Sequence, residues 1–198
     1  MSGSEINPEK LAKVFEDFLR AIGMSPGSHE ELMETPIRAS TMWIEEILDG
    51  YDWKPEEILS DGTEVEGSRN IVIVRDLFFH STCPHHLLPY HGVAHVAYIP
   101  TTRVVGLSKI ARLVDCFAHR LIIQEELGQK VAEALVEHLG AEGAACMLDT
   151  EQLCMVIRGV RKVGSRAVTL SYAGKMAENA DLRREFLLAV GKDNESDY

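Results

Sequence analysis

NIVIVRDLFFHSTCPHHLLPYHGVAHVAYIP, residues 70–100, sets two runs of β-branched and aromatic residues on either side of a polar segment. NIVIVRDLFFH (70–80) and GVAHVAYIP (92–100) read as two β-strands. The segment between them, with Cys83, His85 and His86 nearly adjacent, therefore sits where one strand ends.

Working outward, Ile110, Leu113, Val114 and Phe117 recur at helical spacing and predict a helix from Ser108 to about Arg120. A second helix is expected from about Gln124 to Leu139, closed by Gly140. AACMLDTEQLCMVIRG (144–159) and SRAVTLSYAG (165–174) read as another strand pair, which places Cys154 on a strand, and a helix from about Asn179 to Val190 follows. Upstream, residues 7–23 read as a helix capped by Asn7, with Pro8 at its first position and an apolar stripe of Leu11, Val14, Phe15, Phe18, Leu19 and Ile22. Another is expected from Thr35-Pro36 to Gly50, followed by a polar, turn-rich stretch from Asp52 to Ser68. Strand pairs alternating with helix pairs imply an α+β fold, an antiparallel sheet with helices packed on one face. The expected organisation is an N-terminal helical segment (1–62), a catalytic domain (63–191) and a frayed acidic tail, KDNESDY (192–198).

The chain has 198 residues, 45% hydrophobic and 26% charged, which are globular values. Its opening lacks a basic segment followed by an apolar one, and no run approaches the roughly 20 apolar residues that span a bilayer. We expect a cytoplasmic protein with no membrane partner. A net charge of −11 disfavours nucleic acid, which needs a basic field. An anionic ligand must instead meet local cations, and two groups offer them: Arg158, Arg161, Lys162 and Arg166, and the pair Lys109 and Arg112.

Without an export signal, the four cysteines are thiols or metal ligands rather than disulfides. Cys83-x-x-His86 has the spacing of half a zinc site, and Cys154 could complete a Cys2His set. Three ligands with an open fourth position are the catalytic arrangement. Spacing alone leaves open the alternative, two small core cysteines and a histidine satisfied in a turn. If the chain there is extended, His85 points away from His86 and is free for acid–base work. Ser108 and Lys109 open a helix whose N-terminus favours an anion, and Arg112 lies one turn on the same face. Glu125 follows Gln124 at the next helix start, where a carboxylate also caps. Cys116 and Cys146 fit core positions, and His29, His119 and His138 show no partner.

STCPHHLLPYHG (81–92), HVAYIP (95–100), VVGLSKIARLV (104–114), the Gln124–Glu125 pair of IIQEEL (122–127) and CMVIRGVRK (154–162) resemble, in order and spacing, the motifs of GTP cyclohydrolase I. LMETPIR (32–38) resembles an upstream segment of that family, so the similarity runs from about Leu32 to Val190. The resemblance implies a tunnelling fold, in which subunits join their sheets into a barrel and assemble as a homo-oligomeric decamer with active sites between subunits. It implies Zn2+ held by Cys83, His86 and Cys154, and His85 as the acid acting on the purine imidazole. It implies guanine recognition by Glu125 with Gln124 nearby, and triphosphate binding by Ser108, Lys109, Arg112 and Arg158, with Arg38 from a neighbouring subunit. The implied reaction opens the imidazole ring of GTP at C8, releases formate and rearranges the product to 7,8-dihydroneopterin triphosphate.

Two positions depart from the family's pattern. Pro84 stands where a glutamate is usual. Gln152 stands where the family carries a second active-site histidine, and glutamine cannot shuttle a proton near neutral pH. Three outcomes follow: a working cyclohydrolase that uses another group such as His80 or His91, a paralogue that stops at an opened pyrimidine or takes a related purine nucleotide, and a non-catalytic nucleotide-binding ring.

Overall fold

The computed structural model describes residues 6–65 and 70–191; the expected acidic tail lies outside the described residues. The 70–100 stretch forms strands β2 (Val72–Thr82) and β3 (Pro89–Ile99), antiparallel from Val72↔Tyr98 to Thr82↔Pro89. Between Val74 and Leu77 the register shifts, and Asp76 takes a φ of 57°. This bulge bends β2 and resets which of its residues face the core. The other long strands are β5 (Gly143–Gln152) and β6 (Ala167–Gly174), and the four make one antiparallel sheet in the order β2-β3-β5-β6. Two short strands, β1 (Gly62–Glu64) and β4 (Arg103–Val105), pair separately. The polar stretch 52–68 therefore holds some structure, including a one-turn helix α3 (Pro55–Ile58).

Alternation along β3 decides what covers each face. Ala94, Val96 and Tyr98 meet α4 (Leu107–Ala118) and α5 (Gln124–Glu137) through Ile110, Leu113, Phe117, Leu127, Val131 and Leu135. Cys116 and Cys146 are fully buried, as expected of core thiols. Ala97 and Ile99 point the other way. There they pack with Ala145, Met176 of α7 (Lys175–Glu178) and Phe186 of α8 (Ala180–Val190). The helices that follow the N-terminal segment are expected on one face of the sheet; α8 instead covers part of the second, because both sets of β3 residues are apolar at this end of the sheet.

Helix α1 (Pro8–Ala21) begins as expected, with Asn7 accepting from the Lys10 amide at 2.9 Å and Pro8 at the first position. The second predicted helix is broken: α2 (Thr35–Met42) gives way to a π-turn at Trp43–Ile47 and a 3-10 turn at Asp49–Tyr51. These turns fasten the segment to the body. Asp49 Oδ1 lies 2.7 Å from His119 Nδ1, and Arg120 donates to Gly50 O at 3.0 Å and Trp53 O at 3.3 Å. His119 thus has a partner that only the fold reveals. Val14, Phe18 and Ile22 of α1, half of the predicted apolar stripe, remain exposed. Among the described residues no helix is long and apolar enough to cross a membrane.

Candidate metal centre and cleft

Between β2 and β3, residues 83–88 make a closed turn. Cys83 N donates to Leu88 O and Leu87 N donates to Cys83 O, both at 2.9 Å, and Leu87 takes a φ of 53° to close it. The segment is therefore not extended. Folding back brings both imidazoles to one sulfur: His85 Nδ1 is 3.7 Å and His86 Nδ1 3.9 Å from Cys83 Sγ. The rings nonetheless diverge, their centroids 6.3 Å apart at 70°.

Cys154 reaches the same place by a route the sequence does not suggest. Strand β5 stops at Gln152, and Leu153–Val156 forms the single turn α6, against β3. Cys154 is thus helical, not on a strand. The ligand atoms of Cys83, His86 and Cys154 all lie within 4.8 Å of one another. Tetrahedral zinc, with bonds of about 2.0–2.3 Å, sets its ligand atoms roughly 3.5–4 Å apart, so a small closure of this trio would seat an ion. Burial and the neighbouring Cys83 both push the Cys154 thiol up, the situation a divalent cation reverses by stabilising thiolates. The residues fit zinc in donor type and in number.

Cys83 and Cys154 of the trio line a cleft of about 260 Å³, whose walls also include His85, Gln124, Glu125 and Gln152. Tyr90 also lines it, donating to Ile122 O at 3.1 Å, and burial pushes its phenol up so that it stays neutral. Glu125 lies in the first turn of α5 and is exposed to the cleft. His80 and His91 do not line it. His80 stacks against His119 at 4.7 Å, and burial, with His119 beside it, pushes its pKa down. His91 precedes Gly92 on the sheet face opposite Tyr90, with Phe78 6.2 Å away.

The sequence matches the model of the GTP cyclohydrolase I family over residues 11–191. This chain belongs to the GTP cyclohydrolase I family. It is 41% identical over 182 residues to GTP cyclohydrolase 1 of Campylobacter lari, covering 92% of this chain and 95% of the relative. With the enzyme of the same name from Streptococcus sanguinis it shares 41% over 186 residues, covering 94% and 100%. With that of Ralstonia nicotianae it shares 44% over 157 residues, covering 79% and 75%. A solved structure of the archaeosine synthase QueF-Like in the apo form aligns with 52% of this chain and 93% of its own, at 18% identity and a TM-score of 0.44.

In this GTP cyclohydrolase I family member the expected site residues divide into two groups. Cys83, His85, Gln124, Glu125, Gln152 and Cys154 share the cleft, and His86 adjoins it as a member of the trio. Ser108, Lys109, Arg112, Arg158 and Arg38 do not line it. Arg38 pairs with Glu34, and Arg166 with Asp149 at 2.8 Å. Among the described residues Lys109, Arg112, Arg158, Arg161 and Lys162 make no ion pair, and the α4 N-terminus has no side-chain cap, since the helix starts at Leu107 behind Gly106. Arg112, Arg158, Arg161 and Lys162 are exposed.

The sequence reading missed the use of Gln124. Its side chain is buried, donating to Leu148 O at 3.1 Å, Ala167 O at 2.9 Å and Thr169 Oγ1 at 3.2 Å, and accepting from Thr150 Oγ1 at 2.6 Å and Gln152 Nε2 at 2.8 Å. Every hydrogen-bonding position of the amide is committed within the protein. Its only sequence signal is an amide residue in a helix start that otherwise packs on the sheet.

Proposed function

We propose that this protein is a zinc-dependent GTP cyclohydrolase I that opens the imidazole ring of GTP at C8, releases formate and yields 7,8-dihydroneopterin triphosphate. The observation that carries the reading is the convergence of Cys83, His86 and Cys154 on one edge of a cleft whose other walls hold His85 and Glu125. Zinc bound by the trio would supply a Lewis acid at neutral pH. Beside it, the His85 imidazole donates a proton to a purine ring nitrogen. Glu125 accepts hydrogen bonds from the N1–H and amino group of guanine, a pair of donors that adenine lacks. The triphosphate belongs to Ser108, Lys109, Arg112 and Arg158, with Arg38, where it anchors the substrate away from the reacting atoms.

Because those cations lie outside the cleft of one protomer, we infer a homo-oligomer in which a second copy completes the site. Two features support this: among the described residues β2 and β6 are the edge strands of the sheet, and Val14, Phe18 and Ile22 are exposed. A second reading, a paralogue that stops at the opened pyrimidine, draws on Gln152, whose wall of the cleft carries an amide and no titrating group.

Base choice tests the proposal. Zinc-loaded protein is expected to consume GTP and leave ATP intact, and Glu125→Gln is expected to lower kcat/KM for GTP roughly 100-fold, the cost of losing a charged acceptor in a polar recognition site. Equal consumption of the two nucleotides would remove Glu125 from the guanine site.

A further inference from the structure

We propose that Gln124 is a positioning residue that locks the amide of Gln152, so that Gln152 presents its carbonyl oxygen to the cleft and accepts a hydrogen bond from an N–H or O–H of the bound nucleotide. The proposal rests on the reading of the cleft as a nucleotide site.

Backbone carbonyls accept only, so Leu148 O and Ala167 O require the Nε2 side of Gln124 to face them. Its Oε1 must then face Thr150 and Gln152. The Thr150 hydroxyl gives its hydrogen to that oxygen at 2.6 Å, which leaves Thr150 Oγ1 as an acceptor. Gln152 Nε2 lies 2.8 Å from Gln124 Oε1 and 3.1 Å from Thr150 Oγ1, two acceptors, so the nitrogen and not the oxygen of Gln152 belongs there. A reversed Gln152 would set its oxygen against the oxygen of Gln124, whose side chain is buried and held by the buried Leu148 and Thr150. Neither can turn over alone. What remains of Gln152 is Oε1, which has no hydrogen-bond partner among the described residues, on a side chain that lines the cleft two residues from Cys154.

This polarity has a consequence for recognition. An acceptor fixed at this wall favours a ligand that offers a donor there and disfavours one that offers a lone pair. A side chain free to rotate would tolerate both.

The test uses zinc-loaded full-length protein with Gln152→Met, Gln152→Glu, Gln124→Met and the Gln124→Met/Gln152→Met pair, measuring melting temperature, zinc-to-protein ratio and GTP dissociation constant. Gln152→Glu, though closer in shape, is expected to melt below Gln152→Met, because a carboxylate meets the fixed oxygen of Gln124. Gln152→Met is expected to keep its zinc and bind GTP roughly tenfold more weakly. Gln124→Met is expected to weaken GTP binding similarly, and the double variant to lose no more than either single one, since both changes remove one positioned acceptor. Additive losses, unchanged GTP affinity in Gln152→Met, or a Gln152→Glu protein as stable as Gln152→Met would overturn the proposal. Failure of the unmodified protein to bind GTP would overturn the nucleotide reading instead, and the melting order would still decide the amide lock.

Discussion

Cys154→Ala is expected to lose zinc and formate release together, with kcat/KM for GTP falling more than about 1,000-fold. The proposed site has three protein ligands, and removing one leaves Cys83 and His86 on a single turn, whose 3.9 Å approach cannot by itself enclose an ion. Cys154 also contributes the only ligand from outside that turn, so its loss disconnects the β2–β3 turn from α6. Metal analysis of the purified protein and a formate assay check the result. Cys146→Ala is the control: this thiol is fully buried in the core and pushed up to about 12, so zinc content should be unchanged. An alanine variant at Cys154 that keeps full zinc occupancy would remove it from the ligand set.

Gly92→Ala is expected to prevent folding, at a cost above about 4 kcal/mol. A Cβ at Gly92 would lie 2.0 Å from Asp149 O, 2.7 Å from Thr150 Cα and 2.9 Å from Asp149 C. All three atoms are backbone of β5, so relief requires breaking the β3–β5 ladder, not turning a side chain. That ladder sets Tyr90 opposite Gln152, and so aligns two residues that line the cleft. Gly27→Ala, which meets nothing within 4 Å, should change stability little. Soluble yield and urea unfolding measure both. A Gly92→Ala protein with an unchanged midpoint would mean that β3 and β5 are spaced differently from this register.

The parts of this fold legible in the sequence were those written as long periodic runs. Ile110, Leu113, Val114 and Phe117 give α4, and the valine- and isoleucine-rich runs around Cys83 give β2 and β3 to within a few residues. The break after β5 was not legible, because LCMVI is apolar and β-branched and reads as more strand; only the fold turns it into α6. Likewise Arg75-Asp76 gives no advance sign of a bulge, and the apolar residues on both faces of β3 do not say which helix covers which. In the site, Cys-x-x-His spacing marked two of the three residues that could hold a metal, while nothing local in the sequence places Cys154 beside Cys83, which the fold does. Gln124 beside Glu125 looked like a second ligand-reading group. The hydrogen-bond partners of its amide, Leu148, Thr150, Gln152, Ala167 and Thr169, come from two other strands and their ends, and no local pattern encodes them.

The central claim is that this cleft opens the imidazole ring of GTP. Zinc-loaded protein incubated with GTP, with formate quantified and the product weighed by mass spectrometry, tests it most directly. The account predicts one formate per GTP consumed and the mass of 7,8-dihydroneopterin triphosphate; an opened pyrimidine in its place would assign the chain to the second reading. GTP recovered intact from protein that holds its zinc would contradict the account.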